Sequence, residues 1–275
     1  MFRVDDCDTT TDLRGHMDFE LVVVAIAPIL FLAWFMYTRD RYEPEPRRLI
    51  IKTFLLGAVL VVPVIFVELL GGLLLPPSTD PLVLFLHFLL VVALVEESSK
   101  YLAVRVSVYR SSHFNEPMDG LVYGAMAGLG FAAPENLLYV LSRGAALGVI
   151  RGVLSVPGHA LWGALIGYYL ARQKLELKHR AGLRGLLFAV ILHATFDYGL
   201  VAAETLIGIL IASMVVIAGW VIFFRLKKTA LEVSPFRSPL HMLQTPPMPT
   251  KYCTQCGALI LTGDRFCRSC GARQL

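Results

Sequence analysis

Residues 81–105 read PLVLFLHFLLVVALVEESSKYLAVR. The apolar part, Pro81 to Val95, makes only about 21 Å of helix, short of the hydrocarbon thickness of about 30 Å. A helix that crosses a bilayer here must run on through Glu96, Glu97 and Lys100 to reach the basic end at Arg105. Two carboxylates and an amine then lie inside the membrane. Ionised groups there cost several kcal/mol unless paired or hydrated, which makes them functional candidates. Glu96 and Lys100 are four apart and share a helix face in the favourable order for pairing. Glu97 lies about 100° round the helix. On this segment alone, a structural ion pair between helices remains the plainer alternative.

The rest of the chain repeats the pattern. Of its 275 residues 56% are hydrophobic and 17% charged. Soluble domains hold about half apolar and a quarter charged residues, so the balance points to a membrane protein. No basic patch stands outside the loops, and no nucleic-acid partner is expected. Apolar runs cover 19–37, 50–75, 82–105, 119–141, 146–170, 184–202 and 205–224, each near the length of about 20 residues that crosses a bilayer. The turn between the last two is open, lying at AAET or nearer Gly199. The first run follows an acidic tail rather than a basic region, so it reads as a retained span and not a cleaved signal. The expected fold is an all-α polytopic membrane protein of about seven transmembrane helices with a small C-terminal zinc ribbon. Its parts are an extracytoplasmic tail (1–18), a membrane domain (19–225), a proline-rich linker (226–250) and the ribbon (251–275).

Loop charges set an orientation. Arg39, Arg41, Arg47 and Arg48 follow the first run, Arg105 and Arg110 the third, and Arg172, Lys174, Lys178, Arg180 and Arg184 the fifth. Arg225, Lys227 and Lys228 follow the seventh. The alternate loops are poor, PPSTDP having no base and the fourth-to-fifth loop only Arg143 and Arg151. The N-terminus is expected outside the cell membrane and the C-terminus in the cytosol.

Four of the five cysteines fall in YCTQCGALILTGDRFCRSCGARQL, residues 252–275. Cys253, Cys256, Cys267 and Cys270 make two CxxCG knuckles, a spacing that suits four thiolates around zinc. A module this short has little core, so the metal would supply its folding energy. The competing reading is two redox pairs, which a reducing cytosol disfavours. The segment resembles the zinc-ribbon tails of bacterial membrane proteins, and a cytosolic partner for it is expected.

Polar groups also interrupt the fourth, fifth and sixth runs. In DGLVYGAMAGLGFAAPENLLYVL, Gly120, Gly124 and Gly128 leave one helix face bare for a close neighbour. Pro134 then breaks the backbone ladder ahead of Glu135 and Asn136. VPGHALWGALIGYY carries His159, and ILHATFDYG carries His193 and Asp197 four apart. Glu68 and Glu204 read as interfacial. A lone histidine in a span is commonly a helix-to-helix hydrogen bond, but four consecutive spans bringing polar groups to similar depth describe a site. Hydrolysis suits the set. A glutamate takes a proton from water, and histidines bind a metal or donate to an oxyanion. Glu135, His159 and His193 could hold a metal, with Asp197 or Asn136 orienting a histidine.

EESSK, FAAPEN, PGHALW and HATFD, in this order, resemble the PrsW-type intramembrane proteases and, more distantly, the CAAX prenyl proteases and bacterial Abi proteins. The resemblance covers roughly residues 19–225. It implies a peptidase that cuts membrane-anchored proteins, an anti-sigma factor among them. It places the functional glutamates on Glu96 and Glu97, completed by Glu135, His159 and His193, with Lys100 in support. CAAX enzymes carry arginine and histidine where this chain has Lys100 and Glu135, which argues against prenylated substrates. Metal-dependent and glutamate-only mechanisms both stay open, as does an active-site metal. The rival classes are a proton- or ion-coupled transporter, which predicts repeat symmetry that the sequence lacks, and a non-catalytic scaffold.

Overall fold

The computed structural model describes residues 9–176, 178–201 and 206–237, and, towards the C-terminus, 250–253, 255–256, 259–261, 270 and 272–273. Met1–Ser234 form one compact unit and Pro235–Leu275 a second.

The first unit is helical throughout. Its elements are α1 (Thr9–Tyr37), α2 (Arg47–Leu74), α3 (Pro81–His87), a π-helical turn (Phe88–Ala93), α4 (Leu94–Ser107) and α5 (Pro117–Arg143). They continue with α6 (Ala145–Val153), α7 (Ser155–Leu175), α8 (Ala181–Val201) and α9 (Leu206–Glu232). Six stretches are long and apolar enough to cross a membrane: Glu20–Tyr37, Arg47–Leu74, Pro81–Ser107, Ala145–Leu175, Ala181–Val201 and Leu206–Glu232. The chain is therefore a multi-span membrane protein. α5 is the seventh long helix, and its composition differs because its place differs. Pro117 to Ala132 are buried without a break, so this part of the helix meets protein on all sides rather than lipid. The AAET turn, with Glu204, lies outside the described residues. α9 runs past the expected end of the last span at 224 to Glu232, and Ala230 is fully buried.

The glycines of α5 explain how it sits so deep. A Cβ added at Gly124 would strike the carbonyl oxygen of Gly163, and one at Gly120 would strike that of Gly167. Both α7 residues are themselves glycines, so two bare faces touch backbone to backbone. Gly128 continues the seam to the carbonyl of His159. The close contact that the sequence stripe predicts is thus met by a second stripe on α7, and it fixes the depth of the helix that carries His159.

Two local features depart from the sequence reading. The run 82–105 is one rod, but its middle turn is π-helical, with the Leu94 amide bonding back to the Leu89 carbonyl. The expected fifth span, 146–170, is broken at Leu154 into α6 and α7. Gly144, at φ 88°, makes the sharp entry to α6, a backbone conformation that glycine adopts without a steric cost.

In the second unit, β1 (Thr250–Tyr252) pairs antiparallel with β2 (Leu259–Leu261), Lys251 facing Ile260. The sulfurs of Cys253, Cys256 and Cys270 lie within 4.8 Å of one another. The Gln255 amide helps to hold the Cys253 thiol down at about 6, which favours the thiolate a metal needs. Cys267 lies outside the described residues.

Candidate active site

α4 presents Glu96, Glu97 and Lys100, all buried. Lys100 organises them. Its Nζ donates to Glu97 Oε1 at 2.5 Å, stands 3.6 Å from Glu96 Oε2 and reaches Nδ1 of His159 at 2.8 Å. The sequence favours the Glu96–Lys100 pair four apart, whereas the lysine sits closer to Glu97, three apart. The amine also faces the rings of Phe131 and Trp162, an attraction that helps to hold a buried cation.

The imidazoles come from α7 and α8. His159 Nε2 approaches Glu135 Oε2 to 3.0 Å, and its Nδ1 lies 3.8 Å from Glu96 Oε2. His193 Nδ1 is 2.8 Å from Glu97 Oε1, and its Nε2 is 3.1 Å from Asp197 Oδ2. Trp162 lies flat on His193 with ring centres 4.3 Å apart, and Phe131 stacks on His159 at 5.9 Å. These rings leave each imidazole little freedom to turn. The two imidazole centres are 5.4 Å apart.

Asn136 contacts neither imidazole. Its amide donates to the Ala25 carbonyl of α1 at 2.8 Å, and its Oδ1 accepts from Arg151 at 3.1 Å. Arg151 also donates to Glu135 Oε1 at 2.8 Å. The expectation that Arg151 belongs to an outer loop is therefore corrected, because the guanidinium is buried on α6 against two α5 side chains. Glu68 is a second correction. It lines the cavity with Glu96, Glu135, His159, His193 and Asp197. Its Oε1 is buried without a hydrogen-bond partner. The sequence signal for Glu68 was a carboxylate inside the apolar run 50–75. That for Arg151 was a base in a stretch otherwise apolar from Ala145 to Val153.

The cavity encloses about 700 Å³, enough for a short length of peptide chain. Glu96 lines it and Glu97 does not, for Glu97 is fully buried behind, held by Lys100 and His193. The Oε2 atoms of Glu96 and Glu97 accept no hydrogen bond, and Glu135 Oε2 has only the His159 ring beside it. Buried carboxylate oxygens without donors are costly, and such oxygens suit a water to be deprotonated or a bound cation. Two sets of ligand atoms lie close enough for one ion, Glu96–Glu135–His159 and Glu96–Glu97–His193. A nitrogen-and-carboxylate set of this kind fits zinc.

Comparison with known proteins agrees with this chemistry. Residues 45–225 match the family model described as PrsW family intramembrane metalloprotease, and residues 252–274 match that of a zinc-ribbon domain. Protease PrsW of Bacillus subtilis is 33% identical over 220 residues, covering 78% of this chain and 98% of the relative. Protease PrsW of Geobacillus kaustophilus is 34% identical over 191 residues, with 68% and 82% covered. Protease PrsW of Clostridioides difficile is 36% identical over 191 residues, with 66% and 79% covered. No solved structure matches the chain.

Proposed function

The chain belongs to the PrsW family of intramembrane metalloproteases, and on that premise we propose how its residues divide the hydrolysis of a peptide bond. The substrate is a membrane-anchored protein, and we infer a regulator such as an anti-sigma factor. The carrying observation is that Glu96 faces the cavity with an oxygen that accepts no hydrogen bond, while Glu97 is locked behind it.

Glu96 is the general base. Its free oxygen takes a proton from a water molecule, whose oxygen forms the bond to the carbonyl carbon. Glu97 is a positioning residue. Through one oxygen it holds both Lys100 and His193, so that the amine stays near Glu96 and the imidazole stays turned towards the cavity. His193, which lines the cavity, stabilises the oxyanion of the tetrahedral intermediate. When the C–N bond breaks, the proton held by Glu96 passes to the leaving amine. Arg151 holds Glu135 in place from α6 and is itself held by Asn136 of α5. Glu135 and His159 would hold a zinc ion beside Glu96, which when bound supplies polarisation of the carbonyl and a more acidic water.

The remaining assignments rest on sequence. Loop charges support an N-terminus outside and a ribbon in the cytosol, and removing Arg151 from the outer loop sharpens that asymmetry. We assign a second zinc to Cys253, Cys256, Cys267 and Cys270, and a cytosolic partner to the ribbon.

The test is purified protein in detergent with a membrane-anchored substrate. Glu96→Gln keeps shape and removes basicity, so hydrolysis falls by a factor of about 100 or more at normal abundance. Glu97→Gln falls as well, through misplaced Lys100 and His193. A Glu96→Gln protein that cuts at the wild-type rate would remove Glu96 from the chemistry.

A further inference from the structure

Away from the protease cavity, three more carboxylates meet. Asp40 and Glu45 lie in the loop between α1 and α2, and Asp119 lies in the first turn of α5. One oxygen from each falls within 4.8 Å of the other two. Their exposures are 6%, 4% and 0%, so each is more than nine-tenths buried.

How they are held points to a ligand. Asp40 Oδ1 accepts the amides of Tyr42 and Glu43, at 3.2 and 3.4 Å. Asp119 Oδ2 accepts those of Asn115 and Glu116, at 2.6 and 2.7 Å. Glu45 Oε2 accepts the Tyr123 hydroxyl. Each carboxylate is thus fastened by one oxygen. The other oxygens of the two aspartates, Asp40 Oδ2 and Asp119 Oδ1, are buried and have no donor. Among the described residues no lysine or arginine pairs with any of the three, although bases crowd the adjoining loop. Lys174, whose charge acts on Asp119, spends its amine on the Ser111 and Phe114 carbonyls at 2.7 Å. Buried negative charge with free oxygens and no base lacks a positive partner.

We propose that Asp40, Glu45 and Asp119 bind a hard divalent cation, Ca²⁺ or Mg²⁺, that ties the α1–α2 loop to the start of α5. An all-oxygen, carboxylate-rich donor set selects such ions over zinc. The bound ion neutralises the cluster and clamps the end of the helix whose far part carries Glu135. The glycine seam holds α5 against α7 along its length, and the ion holds its beginning against α1 and α2. The competing occupant of the cluster is a shared proton.

Full-length protein, freed of Ca²⁺ and Mg²⁺ with EDTA, resupplied with zinc and dialysed, is titrated with Ca²⁺ and in parallel with Mg²⁺ while thermal unfolding is followed. The expected result is a saturable rise of about 5 °C in the unfolding midpoint. The rise is absent in Asp40→Asn and in Glu45→Gln and present in Glu135→Gln. In a second arm Tb³⁺ is the probe. Tyr123 touches Glu45, so it sensitises Tb³⁺ emission, which Ca²⁺ displaces and Tyr123→Phe sharply reduces. Three results overturn the proposal. They are no saturable response in the wild type, a response that survives both loop substitutions, and a response lost in Glu135→Gln, which would put the ion in the protease cavity. If the loop variants do not fold, Tb³⁺ emission unchanged in Tyr123→Phe is enough to overturn it.

Discussion

Glu135 shows how much one carboxylate depends on its neighbours. Arg151 binds its Oε1 from α6, while Oε2 turns to His159. Arg151→Ala leaves a buried carboxylate without its cation, a change that costs about 3–5 kcal/mol. The expected outcome is a lower unfolding midpoint together with lost hydrolysis, whereas Glu96→Gln loses hydrolysis alone. Glu68 stands on the cavity wall and touches none of the groups assigned to the proton transfer. Glu68→Gln is therefore expected to weaken the reaction by about 10-fold, against 100-fold or more for the general base. Steady-state kinetics separate the two, and a loss at Glu68 equal to that at Glu96 would make Glu68 part of the chemistry. The sequence singles out Glu96, Glu97, His159 and His193 as candidates because charge and imidazole inside apolar runs carry an energetic cost that demands a reason. Glu68 obeys the same rule. It reads as interfacial in the sequence because position along a span does not show which way a side chain faces.

At the scale of helices, the contact between α5 and α7 is decided by absent side chains. Gly124→Leu drives a branched chain into the Gly163 carbonyl, and overpacking of this kind costs about 1–3 kcal/mol or more. Activity is expected to fall along with stability, since the seam that separates also places His159. Thermal unfolding and hydrolysis measured on Gly124→Leu check this, and a fully active, fully stable variant would refute the tight seam. The α5 stripe was legible because small residues four apart have one use between membrane helices. The break at Leu154 was not, because both α6 and the start of α7 are apolar and the hydropathy of the run does not change. Arg151 lies inside the expected run 146–170, but a base near the end of an apolar run gives no sign that it turns inward to Glu135.

For the whole molecule, apolar length and loop charge led to the architecture directly. A chain with this composition has few alternatives to a helical bundle in lipid. The proposed placement of the ends rests on arginine and lysine, and it predicts that alkaline phosphatase fused after Leu275 stays inactive while a cytosolic reporter there works. An active phosphatase would invert the topology. The ribbon adds a count. Full-length protein should carry about one zinc more than a Cys253→Ser/Cys270→Ser double variant, measured by elemental analysis of the two preparations. Metal remaining in the double variant would belong to the membrane site. What the sequence could not display is convergence. Asp40, Glu45 and Asp119 look like unrelated loop and helix-start acids until the fold closes them together.

The π-helical turn at Phe88–Ala93 has a consequence for the rod that contains it. A π turn accommodates an extra residue where an α turn would not, so the two halves of the rod are out of phase with each other. The outer half can present one side to its surroundings while the inner half points Glu96, Glu97 and Lys100 at the cavity. Deleting Leu90, at 50% exposure the most exposed residue of that turn, would restore a plain α-helix. Because the π turn has absorbed that residue, the inner triad would keep its direction, whereas regular α-helix through the undeleted run would swing it by about 100°, a rotation equal to losing the site while removing no catalytic atom. That deletion is expected to leave cleavage in place, and a second deletion within 88–93, which no extra residue offsets, to abolish it. The turn thus acts as a gearing between two halves that would otherwise have to share one phase.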